Sequence, residues 1–398
     1  MNGKKIRKYA VRGLVGMAGA GLLLLTALYI ISGGFMKQYY LEPWSEEYAA
    51  QYDDPRISLT ARGILAASGH NMQPWIIRLD PSDSMVFYLY ADSTRMTKEV
   101  DPYARQMMIS QGTFLEYVAV AGKKEGWDTK IKLFPDGVYD ESDLARSMDT
   151  LPVAKITLAK TQPQDTQLYD ALYLPDTNRE PYQAKELSTS QVSGLESLSG
   201  TTGISVTVYQ KPGMLSSIGK YALQSAQIEA GVSRVMEESN VIFRASEYQK
   251  NQYRYGYSVE GQGASGFMKH ILQGMLTIFP SLNSGEAASR NFINYTRTSV
   301  DSTPAYAMII TRENSREVQV ESGMFYSRLV LTGHTLGLVM QPLSQALEEY
   351  PEMNNLYTEF KQAYAPDSGT VQMLFRVGYP TKGTPLSMRR DVMDIIAK

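Results

Sequence analysis

The pattern that most constrains this fold occurs twice. "GTFLEYVAVAGKKEGW" (Gly112 to Trp127) and "GMFYSRLVLTGHTLGL" (Gly323 to Leu338) place Gly112 over Gly323, Phe114 over Phe325, Gly122 over Gly333 and Gly126 over Gly337. Both segments read as helices that end at a glycine suited to a left-handed C-terminal position. Asp101 and Pro102 supply an N-cap and a first-turn proline for the first of them. A glycine inside a helix is less favourable than alanine by about 1 kcal/mol. Gly122 and Gly333 therefore point to close packing, and two central helices are expected to cross at the heart of the protein.

Each helix precedes a β-rich run, "LPVAKITLAK" (Leu151 to Lys160) and "TVQMLFRVGY" (Thr370 to Tyr379). Earlier strands are "WIIRL" (Trp75 to Leu79) and "MVFYLY" (Met85 to Tyr90), joined by "DPSDS" as a hairpin. "GISVTVYQ" (Gly203 to Gln210) and "YAMIIT" (Tyr306 to Thr311) take the corresponding places later on. The body reads as two α+β halves of one plan, residues 38–170 and 171–398, behind a separate segment 1–37. In the first half "SLTARGILAA" leads through "SGHNMQPW" into a strand. In the second, "STSQVSGLESL" leads through "SGTTG" into "ISVTVY". The polar cluster occurs once, which argues for one functional site.

Residues 1–37 differ from all that follows. Lys4, Lys5, Arg7, Lys8 and Arg12 precede "GLVGMAGAGLLLLTALYIISGGFM" (Gly13 to Met36), which contains no charged side chain. About 20 apolar residues cross a bilayer as a helix, so residues 13–36 are read as an uncleaved single-pass anchor. Basic residues before the span and acidic ones after it favour an extracytoplasmic body. That body carries a formal charge of about −8, which argues against nucleic acid as a partner. The absence of cysteine excludes disulfides, thiolate metal sites and cysteine nucleophiles. His70, His270 and His334 are the only histidines and form no metal-ligand motif.

Ser68, Gly69, His70, Asn71 and Gln73 suit either a helix-end turn or a ligand cradle, and Trp75 suits a core anchor. Beyond that choice, "AASGHNMQPW" closely resembles the A-P-S-x-x-N-x-Q-P-W signature of the nitroreductase superfamily of FMN flavoproteins. "DPYARQMMISQG", "TNREPY", "LGLVMQPLSQALE" and "MLFRVGYP" resemble, in order, further elements of its tandem single-chain branch, the Acg-type FMN-binding proteins.

The resemblance implies an α+β sandwich duplicated in one chain, a pseudo-dimer with one FMN between its halves. It implies that Ser68, Gly69, His70, Asn71 and Gln73 touch the flavin from one half. Thr177, Asn178 and Arg179 would grip ribityl and phosphate from the other. The backbone of Ser344 and Gln345 would approach flavin N5, and Arg389 and Arg390 would neutralise the phosphate. Family members usually carry an arginine where this chain has Pro175.

The activity implied is NAD(P)H-driven two-electron reduction of a nitroaromatic or quinone-like acceptor. Hydride transfer needs stacking and positioning more than a side-chain acid, so no catalytic residue is assigned. A non-catalytic FMN-binding or storage protein is one alternative, with "EYQKNQYRYGYSVEGQGASGF" (Glu247 to Phe267) as a mobile surface loop acting as lid. A flavin-free, membrane-tethered interaction module is the other.

Overall fold

The computed structural model describes residues 3–199 and 203–397. "SGTTG" falls largely on 200–202, outside the described residues. In chain order the elements that position the site begin with α1 (Gly3–Ser32), α2 (Pro55–Gly63), β1 (Trp75–Leu79), β2 (Val86–Ala91), α3 (Arg105–Glu125), β3 (Trp127–Leu133) and β4 (Ala154–Lys160). They continue with α4 (Thr189–Glu196), β5 (Ile204–Tyr209), α5 (Pro212–Gly231), α6 (Glu247–Tyr253), α7 (Gly266–Ile278) and α8 (Gly285–Asp301). The series closes with β6 (Ala305–Thr311), α9 (Arg316–Thr335), β7 (Val339–Pro342) and β8 (Thr370–Gly378).

The strands form two antiparallel four-stranded sheets of the same internal order, β1-β2-β4-β3 and β5-β6-β8-β7. The expected hairpin is β1–β2, with Trp75 opposite Ala91. β3 and β7 were not anticipated. β3 starts immediately after Gly126, whose φ of 77° ends α3 in a single residue.

The repeat helices α3 and α9 do cross at the centre, through a different glycine pair from the one expected. A Cβ on Gly112 would stand 1.8 Å from the carbonyl oxygen of Val320, and one on Gly323 would stand 1.9 Å from that of Ile109. Gly122 and Gly333 instead make room for their own chain's return: Gly122 faces Trp127 and Thr129, and Gly333 faces Met340. Asp101 caps α3 from outside the helix. Its carboxylate accepts from the Gln106 and Met107 amides, while Ala104, in a left-handed conformation, takes the N-cap position and Pro102 lies before the first turn.

The chain's last residues return to the first half. Val392 and Ile395 join its core with Trp44, Tyr48 and Trp75, and Ile396 bridges Ile77 at the edge of β1. The first sheet is thereby clamped by the C-terminal segment that carries Arg389 and Arg390.

Candidate functional site

The Ser68–Gln73 loop is wound tightly. His70, Asn71 and Gln73 have φ of 51°, 53° and 50°, a left-handed region that non-glycine residues adopt at a cost of about 1 kcal/mol or more each. Hydrogen bonds from all sides hold it. The Ser68 hydroxyl accepts from the Gln73 amide at 2.9 Å, and the Gly69 amide donates to Ser110 Oγ on α3 at 3.0 Å. Asn71 Nδ2 donates to the Gly256 and Met388 carbonyls at 3.0 and 3.1 Å, and Gln73 Nε2 to that of Arg254 at 2.9 Å. Trp75 is a core anchor: it is fully buried against Phe114 and donates to the Ser110 carbonyl at 2.8 Å. Gln106, whose side chain lies beside Gly69, has a buried Nε2 with no partner among the described residues.

Arg179 arrives from the second half on the segment that follows Pro175. Asn178 fixes that segment: its amide donates to the Met340 carbonyl on β7 at 2.8 Å, its Nδ2 to Lys382, and its Oδ1 accepts from Glu180. Thr177 beside it is half-buried. The Arg179 side chain remains exposed although Tyr182, Tyr257, Tyr295 and Tyr326 surround it, and its pKa is pulled down by burial. Among the described residues it forms no ion pair, and its charge, after burial, helps hold the His70 imidazole down at about 4, so His70 is neutral at pH 7.

On the far side, Ser344 and Gln345 are half-buried just beyond β7. The pKa of Tyr257 is raised by burial first, and the charges of Glu229 on α5 and of Arg179 both act on it. His70 of the motif loop and Tyr257, Glu229 and Arg179 of the second half are thus electrostatic neighbours. Glu229 and Glu348 are buried together and both pKa values are raised, by burial first and, for Glu348, by the neighbouring Glu229 charge. The pair therefore retains a proton at neutral pH behind Gln345.

Arg389 and Arg390 are tied to the motif loop itself. Arg389 is 2% exposed and donates to the carbonyls of Leu65 and Met388, to Ser387 Oγ and, at 3.2 Å, to Asn71 Oδ1. Arg390 donates to the carbonyls of Gln73, Trp75 and Asp394, and its amide to Gln73 Oε1 at 2.8 Å. Most of their donors are thus taken up by carbonyls, although Arg389 Nε, also buried, has no partner among the described residues. An outer cavity of about 540 Å³ beside Arg390 is lined also by Arg95, Arg254 and Tyr255, on the opposite side of the loop, and its arginines are matched by Asp391 and Asp394.

One further residue was not anticipated. Asp176 is buried, accepts from the Ala67 amide at 2.6 Å and from the Tyr117 hydroxyl, and is pushed up to about 6 by burial. It ties the segment carrying Arg179 to the start of the motif loop. Its only sequence signal is its place directly before "TNREPY".

The Glu247–Phe267 stretch is no loose surface loop: its Arg254 and Gly256 carbonyls accept from Gln73 and Asn71 of the motif loop. α6 is anchored by Lys250, 1% exposed, which pairs with Glu247 at 2.7 Å and with Glu260, and donates to Tyr40 at 2.7 Å. Glu247 also accepts from Tyr40 at 2.6 Å.

No family model matches the chain. Two Mycobacterium tuberculosis proteins, from strains CDC 1551 / Oshkosh and ATCC 25618 / H37Rv, carry the provisional name NAD(P)H nitroreductase. Each is 22% identical over 342 residues, covering 84% of this chain and 88% of its own length. Among solved structures, a nitroreductase-like family protein from Bacillus cereus is 12% identical and covers 60% of this chain and 98% of its own, with a TM-score of 0.31. An FMN-bound nitroreductase from Bacteroides fragilis is 11% identical and covers 57% and 95%, with a TM-score of 0.30. Over most of its length, then, this chain is similar to proteins named as nitroreductases of the NAD(P)H-dependent type.

Proposed function

We propose that the chain is a membrane-anchored flavoprotein oxidoreductase of nitroreductase type. It binds one FMN between its two halves, takes electrons from NAD(P)H and passes them in pairs to a nitroaromatic or quinone-like acceptor. The observation that carries this reading is Arg179: an exposed cation with no ion pair among the described residues, whose charge acts on the His70 imidazole of the strained loop and which has tyrosines as electrostatic neighbours. FMN asks for a cationic donor at its phosphate, amide and hydroxyl partners along its chain and an apolar wall at its ring. Arg179, the buried Gln106 amide without a partner, Thr177 and the surrounding tyrosines fit that demand.

Bound flavin would supply reversible two-electron hydride exchange. The chain's own part is positional. The Ser68–Gln73 loop and the Asn178 turn present backbone and side-chain donors, Arg179 neutralises an anionic group, and the Tyr257 segment limits water. The protonated Glu229–Glu348 pair keeps a proton near the cleft. The anchor is α1, whose Arg7–Ser32 stretch is long and apolar enough to cross a bilayer. We place the body on the extracytoplasmic side from the charge asymmetry around α1.

The cover formed by Arg254 and Gly256 over Asn71 and Gln73 supports a second reading, an FMN-binding protein closed to reductants. Full-length protein loaded with FMN and treated with NADH or NADPH without oxygen separates the two. An enzyme loses its visible flavin band. A closed carrier keeps it, and a chain that takes up no FMN refutes both. Protease treatment of intact cells tests the side of the membrane, and a protected body would reverse the assignment.

A further inference from the structure

From His270 to Gly285 the sequence has no Asp, Glu, Lys or Arg. This stretch forms most of α7 and the turn into α8, and its large outward side chains are apolar: Met275 is 37% exposed, Ile278 44%, Phe279 57% and Leu282 46%, with Phe267 and Met268 at the head of the helix more than half exposed and the small Thr277 and Ser281 exposed between them. The one lysine of α7, Lys269, turns inward and pairs with Glu247 at 3.1 Å and Glu260 at 3.3 Å. Gln273 also faces inward, donating to Glu247 at 3.1 Å. The helix thus turns its lysine and its glutamine inward and presents its large apolar side chains outward. For a helix in water that is the wrong way round.

Its neighbour says what covers it. α7 packs on α1 so closely that a Cβ on Gly274 would stand 2.4 Å from the Leu28 carbonyl oxygen. His270 Nδ1 meets Ser32 Oγ at 3.3 Å, and Tyr29 lies against both Phe267 and His270. Four residues forward on α7, from His270 to Gly274, correspond to four back on α1, from Ser32 to Leu28. α7 therefore descends along α1 toward the apolar stretch in which Leu22, Leu23 and Leu24 are exposed, and Ile278 to Leu282 come lowest. α8 carries the chain away, and charge reappears at Glu286 and Arg290.

We infer that α7 and the turn at Phe279–Leu282 form a second membrane contact, a hairpin tip that sits in the apolar edge of the bilayer beside α1. The inference rests on the reading of α1 as the membrane anchor. A single span leaves the body free to tumble about its tether, whereas an amphipathic helix buried at the headgroup boundary fixes its orientation. The cover over Asn71 and Gln73 runs directly into α7, so the cleft would be held at a constant height above the lipid.

The cysteine-free chain makes this directly testable. Met275→Cys, Ile278→Cys and Leu282→Cys are made in the full-length protein, with Leu23→Cys as the anchor reference and Val138→Cys, 78% exposed on the body, as the aqueous reference. Each is spin-labelled and reconstituted in phosphatidylcholine–phosphatidylglycerol vesicles. Collision with oxygen, which concentrates in lipid, is compared with collision with a water-soluble nickel chelate. The expected oxygen-to-nickel ratio at 275, 278 and 282 is several-fold above that at 138 and approaches that at 23. Water-like values there with a lipid-like Leu23 overturn the inference and leave the anchor standing. A water-like Leu23 overturns both. Shielding from both reagents, with broadening between labels, means that a second copy of the chain covers the face and equally overturns it. None of these readouts uses bound flavin, so failure of the oxidoreductase reading is seen separately.

Discussion

Gly112 and Gly323 meet at the crossing of α3 and α9, each facing the backbone of the other's helix with no space for a side chain. Alanine normally stabilises a helix relative to glycine by about 1 kcal/mol. Here the sign reverses, because the obstacle is a carbonyl oxygen that cannot rotate away. Gly112→Ala is expected to destabilise the protein by about 2–4 kcal/mol. Gly323→Ala should do the same, and the double variant should fall short of the sum, since one forced separation relieves both clashes. Thermal unfolding of the three variants checks this, and a neutral Gly112→Ala would mean that the helices do not cross here.

Arg179 and Arg389 separate binding from folding. Arg179→Ala removes a charge-assisted donor of about 1.5–3 kcal/mol from a bound anion, so FMN affinity should drop roughly tenfold to a hundredfold while the unfolding temperature barely moves. Arg389→Ala leaves the carbonyls of Leu65 and Met388 without their buried donor. It should destabilise the fold by about 2–3 kcal/mol, with flavin loss only as a consequence. Fluorescence titration of FMN beside thermal unfolding distinguishes the two. Asn71→Ala should lie between them, because its side chain holds Gly256 and Met388 in place.

Asp176 makes stability depend on pH. Its folded-state pKa of about 6 lies above the ordinary aspartate value, so the folded protein binds this proton more tightly than the unfolded chain does. Its favourable contribution is complete below about pH 4 and is lost as pH rises through about 6, a change of about 2–3 kcal/mol. Asp176→Asn abolishes that slope. Unfolding temperatures of both proteins between about pH 4 and pH 7 should converge at the acidic end in their difference from other groups, with the wild type losing ground as pH rises. Parallel profiles would show that Asp176 does not titrate in this range.

Lys250 joins the chain just after the anchor to the cover segment through Tyr40, Glu247 and Glu260. Lys250→Ala leaves Glu247 and Glu260 with Lys269 as their remaining cation and removes the charged donor to Tyr40, at a cost of about 1.5–3 kcal/mol. Proteolysis should then cut first between about residues 247 and 267, and FMN should dissociate faster. Unchanged proteolysis would show that the network does not hold the cover.

The sequence pattern made the strands nearest the motif readable. "WIIRL" is bounded by Pro74 and Asp80 and forms β1 over its full length. β3 follows directly on the glycine that ends its helix, and its apolar–polar alternation and alternating burial carry a strand's period of two. The crossing point was legible as a glycine repeat, but which glycine touches which helix depends on the angle of packing, and no local pattern records that. The arginines of the site show the same limit. Arg179 and Arg389 are alike in sequence; only the fold leaves one exposed beside tyrosines and puts the other among buried carbonyls.

The proposed function requires one flavin site built from both halves of a single chain. Titration of the purified full-length protein with FMN, with bound flavin counted against protein by absorbance and amino-acid analysis, tests it most directly. Saturation at one FMN per chain is expected, with the bound cofactor released or much weakened in Arg179→Ala. No uptake, or two FMN per chain, would contradict it.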